Sequence, residues 1–264
     1  MLKPKYQYTV FTKPWKDKTL AELFAFVKGL GFDGVELPVR PGFQVSPETI
    51  AEGLPAAARI AADCGLRIGS VAGPTDEKTI SACASAGVPL IRIMARIPPE
   101  TDYFSAVAEH QRQWDRLVPL LDKHGVALGV QHHCWRYIAN AMQLHCAIAK
   151  YDPRQVCAVW DPAHTGLGGE MEDIALDILW SHLRLVNLKN AYYQRTDKEG
   201  TPVPGWEAIW TTGPNGRASW PKVADELRKR GYRGDLCLTA EYTDRDATDR
   251  LIAEDLAYAK SLFA

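Results

Sequence analysis

Short apolar runs and longer amphipathic stretches alternate along this chain with little interruption. The apolar runs fall at 6–11, 34–37, 67–72, 90–95, 127–133, 156–161, 184–190 and 235–242. Runs of that length, bounded by turn residues, read as strands. The stretches 17–30, 47–64, 76–86, 101–124, 136–150, 170–182, 220–230 and 245–262 read as helices. Leu20, Leu23, Phe24 and Val27 show the helical spacing most clearly, behind Asp17 and Thr19 as start signals. Ser46-Pro47-Glu48 offers a cap, a first-turn proline and an acid at a helix start. Gly31, Gly65, Gly87, Gly125 and Gly231 each stand just before a strand, where helix-ending glycines belong. Eight strand–helix units with no linker-like stretch predict an α/β fold, a single closed (β/α)8 barrel covering 1–264 as one domain. An open doubly wound sheet is the alternative, but VFTKPW after the first strand lacks its glycine-rich phosphate turn.

Four of the apolar runs end in polar residues: LGVQHH (128–133), CAVWDPAH (157–164), LVNLKN (185–190) and LTAEY (238–242). In a parallel barrel the strand ends converge on one rim, so these side chains are expected to share a site. Asp161, followed by a proline turn, reads as an oxygen ligand for a hard cation or as a helix cap, and His164 follows it into the same mouth. Glu241 ends an apolar strand, where an unpaired carboxylate is costly. It reads as metal ligand and proton-transfer base, or as the partner of Lys189 or Arg40 in a salt bridge.

Gln131 and His133 alternate on one strand, which turns His133 inward and His132 outward. Asn187 and Lys189 alternate on another. Lys189 reads as a cation for an enolate-like oxygen, as a base, or as a strand-end salt bridge. Glu36 ends the second strand at the same rim, and the nearby Arg40 is a candidate holder of a substrate phosphate or carboxylate, or else a solvated arginine. The long connection 191–219 carries Tyr192, Tyr193, Trp206 and Trp210, either as a substrate platform or as a packed surface excursion. Trp206 is taken as the substrate-binding ring.

Composition narrows the class. Hydrophobic residues are 46% and charged residues 24%, as in ordinary globular enzymes, and the formal net charge is −1. Nothing here forms a basic stripe for nucleic acid or an apolar stretch for a membrane. The six cysteines are scattered without a CxxC pair, as reduced thiols in a cytoplasmic protein would be, and Cys134 alone lies beside the polar strand ends.

Several segments together resemble the xylose-isomerase-like superfamily of TIM barrels, which includes sugar isomerases and epimerases, inosose dehydratases and endonuclease-IV-type enzymes. They are GFDGVEL (31–37), GVALGVQHH (125–133), VWDPAH (159–164), LVNLKN (185–190) and GRASWPKVADELRKRGYRGDLCLTAEY (216–242). In family members that epimerise ketoses, Glu, Asp, His and a second Glu hold one divalent metal, and the two glutamates serve opposite faces of an enediolate. Carried over, the metal positions fall on Gln131, Asp161, Asn187 and Glu241, and His164 matches a substrate-contacting histidine. Two of the four are amides here. An amide is no base at neutral pH, and two carboxylates with two amides suit Mn or Mg better than zinc.

The expectation is therefore an isomerase or epimerase acting beside the carbonyl of a sugar or keto-sugar. Asp161 and Glu241 would hold a divalent metal with Gln131 and Asn187. Glu241 or His133 would take the proton, and Lys189 or His164 would serve the oxyanion. Dehydration or β-elimination of a keto-sugar is the alternative chemistry, needing one base. A non-catalytic carbohydrate binder with a decayed metal site is the alternative of another class. No nucleic acid or membrane partner is expected, and a homo-oligomer is left open.

Overall fold

The computed structural model describes residues 6–264. Eight strands form a closed parallel barrel: β1 (Tyr6–Phe11), β2 (Gly34–Pro38), β3 (Arg67–Ala72), β4 (Leu90–Met94), β5 (Ala127–Gln131), β6 (Val156–Trp160), β7 (Leu183–Leu188) and β10 (Gly234–Leu238). Neighbours follow chain order around the ring, and β10 closes it between β7 and β1. Two further strands, β8 (Asn190–Arg195) and β9 (Trp206–Thr211), make an antiparallel hairpin above β7. The helices are α1 (Leu20–Leu30), α2 (Ile50–Asp63), α3 (Glu77–Ser85), α4 (Tyr103–His124), α5 (Ala141–Ile148), α6 (Pro162–Leu167), α7 (Glu172–Leu179), α8 (Trp220–Lys229) and α9 (Thr248–Phe263). The expected (β/α)8 barrel is thus what the chain forms.

The core has two shells. Leu23, Phe24 and Val27 of α1, all fully buried at their predicted helical spacing, join the larger shell between the outer strand faces and the helices. A small inner set, including Leu90, Ala127, Val159, Leu185 and the thiols of Cys157 and Cys237, fills the barrel itself. All six cysteines are free.

Local departures from the sequence pattern have local causes. Ser46-Pro47-Glu48 makes a turn, and α2 starts only after Thr49, whose N–H donates to the Ser46 carbonyl at 3.1 Å. Residues 136–150 are helical only from Ala141, because Asn140 caps there and accepts from Gln143 N–H. The expected strands 127–133, 184–190 and 235–242 leave the ladder at Gln131, Leu188 and Leu238, and their polar ends rise over the rim. The connection 191–219 is ordered by cross-strand pairing into the hairpin, which packs Ala191 and Ala208 against Cys134, Ala163 and Leu167.

Asp255 on α9 ties this upper layer down. Its carboxylate accepts the Gly213 N–H at 2.7 Å and the Tyr242 hydroxyl at 2.7 Å. Burial raises its pKa from 3.8 to about 6, against those two hydrogen bonds. The sign follows from linkage. Between pH ~4 and ~6 the unfolded chain ionises Asp255 while the folded chain still holds the proton, so stability falls as pH rises through that window. Asp255→Asn is expected to remove this dependence. In urea unfolding, the variant should gain roughly 2–3 kcal/mol on wild type between pH 4 and pH 7. A gap that stays constant across that range contradicts the account.

Candidate active site at the barrel mouth

The C-terminal ends of β7 and β10 place opposite charges face to face. Lys189 follows β7 directly, and its carbonyl accepts from the indole N–H of buried Trp220 at 3.3 Å, which pins the strand end to α8. Glu241 stands three residues beyond β10. Between them Ala240 adopts φ 52°, a left-handed conformation that a non-glycine residue takes only under constraint. That bend swings Glu241 over the mouth, where one oxygen accepts from Lys189 at 2.8 Å and the other from Lys13 at 2.5 Å. Burial works against ionisation of Glu241, but Lys189 and Lys13 outweigh it and hold the carboxyl well below the usual range.

Deeper in the barrel lies a buried polar chain centred on Arg92 of β4. Its guanidinium donates from Nε and Nη2 to Glu36 at 2.5 to 2.9 Å, and from Nη1 to the Gln131 side-chain oxygen at 2.7 Å. Ser70 donates to the same Glu36 at 2.9 Å. The Gln131 amide then donates to Asp161 at 2.7 Å. Asp161 is also the N-cap of α6, accepting from Ala163 and His164 N–H groups at 3.0 and 3.3 Å. Its pKa is raised to about 6 by burial, opposed by the Lys189 charge. Glu36 thus sits inside the barrel, fully buried and engaged by Arg92.

Two histidines complete the mouth. His133 and His164 lie with ring centroids 4.0 Å apart, whereas His132 is fully buried behind them, 3.2 Å from the Thr165 hydroxyl. The hydrogen bonds assign the tautomers. His133 Nδ1 faces the Cys134 carbonyl at 3.0 Å, so Nδ1 carries the proton and Nε2 keeps a free lone pair. His164 Nδ1 accepts the Cys134 N–H at 3.3 Å, so Nε2 carries the proton; it has no acceptor, with Asp161 Oδ2 at 3.6 Å. Burial pushes the His133 pKa down to about 4 and that of His164 well below 6.5, so both are neutral at pH 7. Cys134 joins them in a His–Cys–His group whose ligand atoms lie within 4.8 Å of one another, but burial pushes its thiol up to about 12.

His133, Lys189 and Glu241 open into a cavity of about 710 Å³ that also reaches Lys13, Trp15, Trp135 and Trp210, while His164 lies fully buried against the His133 ring. Trp210 stands with its ring centre 3.7 Å from the Lys189 ammonium and 5.4 Å from the His164 ring. Its backbone is tied to Thr243 at both N–H and C=O. Trp135, with φ 71°, is the second strained residue of this cavity. Trp206, expected at the site, pairs with Arg195 at the far end of the hairpin and is 58% exposed; Trp210 is the ring the fold delivers instead. Arg40 is half-buried with Arg92 along a smaller cavity, its guanidinium 5.8 Å from the centre of the Phe11 ring.

The four positions that resemblance assigns to a divalent metal are brought to neighbouring strand ends, but their donors are committed elsewhere. Gln131 turns its oxygen to Arg92 and offers Asp161 an N–H₂ group, and Glu241 has an ammonium on each oxygen. The Asn187 side-chain oxygen alone of the four sets is buried without a partner. This donor set does not fit a divalent cation. Arg92 and Lys13, which decide that, were both passed over in the sequence. The only signals were a charge inside the apolar run LIRIM and a lysine at a KPW turn.

A closed parallel barrel with a charged, tryptophan-rimmed mouth at its C-terminal strand ends is the architecture of a TIM barrel protein. The profile of one family, described as xylose isomerase-like TIM barrel, matches residues 24–262, and the chain belongs to that family. No curated protein sequence matches it. Among solved structures, a D-psicose 3-epimerase determined in the presence of D-fructose is 14% identical with TM-score 0.72, covering 97% of this chain and 99% of its own. A 3-keto-D-glucoside 4-epimerase from E. coli is 15% identical with TM-score 0.72, covering 97% and 100%. A xylose isomerase domain protein from Planctomyces limnophilus is 18% identical with TM-score 0.72, covering 98% and 96%. At such identities the likeness shows a shared fold. Among the described residues no helix is long and apolar enough to cross a membrane.

Proposed function

We propose that this protein is an enzyme of the isomerase or epimerase kind that moves a proton at the carbon beside the carbonyl of a sugar or keto-sugar. One observation carries the reading: a neutral imidazole with a free Nε2 lone pair, His133, stands beside a neutral imidazole with an unused Nε2–H, His164. The first is a base that opens into the cavity; the second is fully buried behind it, so the partner of an oxyanion in the cavity is Lys189. His133 Nε2 takes the proton from the α carbon, and the C–H electron pair moves to form the enediolate. The negative oxygen faces the Lys189 ammonium. The hydroxyl proton on the α carbon's oxygen passes to the former carbonyl oxygen, and His133 returns its proton to the former carbonyl carbon, giving the isomer.

Glu241, held ionised between two lysines, is a weaker base than the neutral His133 imidazole beside it. The rings of Trp135 and Trp210 offer apolar surfaces in a cavity otherwise lined by charged and polar side chains, which suits a hydroxyl-rich ligand. The Arg40 guanidinium supplies a place for an acidic group on the substrate. The fold shared with sugar epimerases supports the substrate class. The test is proton exchange. Incubated in D₂O with a panel of ketoses, keto-sugars, sugar acids and sugar phosphates, the protein should wash deuterium into the carbon beside the carbonyl of at least one, read by proton NMR. Saturable binding across the panel with no exchange would make the protein a carbohydrate binder instead.

A further inference from the structure

We infer that this barrel mouth works without a divalent metal because fixed side-chain cations of the chain itself, Arg92 and Lys189 with Lys13, occupy the electrostatic position of one. The inference stands on the donor geometry and is independent of the proton-transfer reading. Three buried or half-buried carboxylates converge here, Glu36, Asp161 and Glu241, and three fixed cations face them. Arg92 neutralises Glu36 with three hydrogen bonds and polarises Gln131, whose amide in turn serves Asp161. Lys189 is the strongest charge acting on both Asp161 and Glu241, and its ammonium lies 2.8 Å from the Glu241 carboxylate. The Gln131 amide is fixed in orientation by this chain: turned over, its N–H₂ would face the guanidinium and its oxygen the carboxylate. An ion of charge +2 would enter a site that is already neutral, displace an ammonium, and meet an N–H₂ group where it needs a lone pair.

The geometry also says how a metal site would be uncovered. Removing the Lys189 charge frees one Glu241 oxygen and takes away the strongest cation acting on Asp161, on strand ends either side of the β7 that carries the unpartnered Asn187 oxygen, and oxygens of this kind are what a hard cation accepts. The experiment compares the wild-type chain with Lys189→Met, using Mn²⁺ and Mg²⁺ as probes. Wild type, purified from metal-supplemented medium without chelator, should carry no stoichiometric divalent ion by elemental analysis, and its Tm should not move with either ion. Lys189→Met should rise by about 5 °C in Mn²⁺ at ~100 times the Kd. One divalent ion per wild-type chain, equal stabilisation of the two proteins, or a folded Lys189→Met indifferent to both ions would each overturn the inference. The wild-type measurement decides the matter even where the variant does not fold. Wild type that lacks metal and also lacks proton exchange sinks the proposed function and leaves this inference standing.

Discussion

Arg92→Met is expected to lower the unfolding free energy by about 3–5 kcal/mol, the cost of leaving one member of a buried ion pair alone. Glu36 is completely buried and Arg92 is 5% exposed, so no solvent reaches the carboxylate once the guanidinium is gone. Ser70 remains as a donor to Glu36, but one hydroxyl does not compensate a charge in the barrel interior. The loss propagates, because the Gln131 oxygen loses its donor too. The double variant Arg92→Met/Glu36→Met separates charge from packing. Replacing the whole pair by apolar side chains of similar length removes two desolvation penalties, so most of the lost stability should return. Urea unfolding of both variants, with unchanged m-values, checks this. A single-variant loss below about 1 kcal/mol would mean that Glu36 is not held as a buried anion.

The barrel itself was legible because its signals are local. Apolar runs of strand length, helical spacing on α1 and glycines at helix ends all depend on neighbours within a few residues. The rim was legible for a related reason: a polar residue at the end of an apolar strand has few places to go in a closed barrel. The Glu241–Lys189 contact was already one of two readings of those residues, and the structure forms it. Partner choice across the barrel was not legible. Glu36 on β2 and Arg92 on β4 meet over the intervening strand β3, a contact fixed only by barrel closure and register. Without Arg92 in view, Gln131 looked like a weakened metal ligand; with it, Gln131 is a bridge whose donor and acceptor ends are both spoken for.

The tryptophans illustrate the same limit. Trp206 and Trp210 are four residues apart on one strand, roughly 13 Å at the usual rise. Only the direction of the β8–β9 hairpin decides which reaches the site. The alternation in WEAIWT was visible, but the turn linking it to NAYYQR leaves that direction open.

His133→Asn should reduce deuterium wash-in by roughly 10²- to 10⁴-fold, the usual worth of a positioned general base. Asparagine retains a donor for the Cys134 carbonyl, so the loop after β5 keeps its anchor, while the lone pair at Nε2 disappears. The loss should appear in kcat with little change in KM, because His133 acts on the proton in flight more than on the bound ground state. His164→Gln, which keeps an N–H donor, should cost less. The pH dependence separates this base from an ordinary histidine. Burial disfavours the imidazolium and sets the His133 pKa at about 4 instead of 6.5. The base form is then complete above pH ~5, so exchange should rise as pH climbs through about 4 and stay flat to neutrality. An unperturbed histidine would put that rise near 6.5, and a carboxylate base at Glu241, held between Lys13 and Lys189, would put it lower still. Exchange by His133→Asn within tenfold of wild type, or a limb at pH 6.5 in the wild-type profile, removes His133 from the base position.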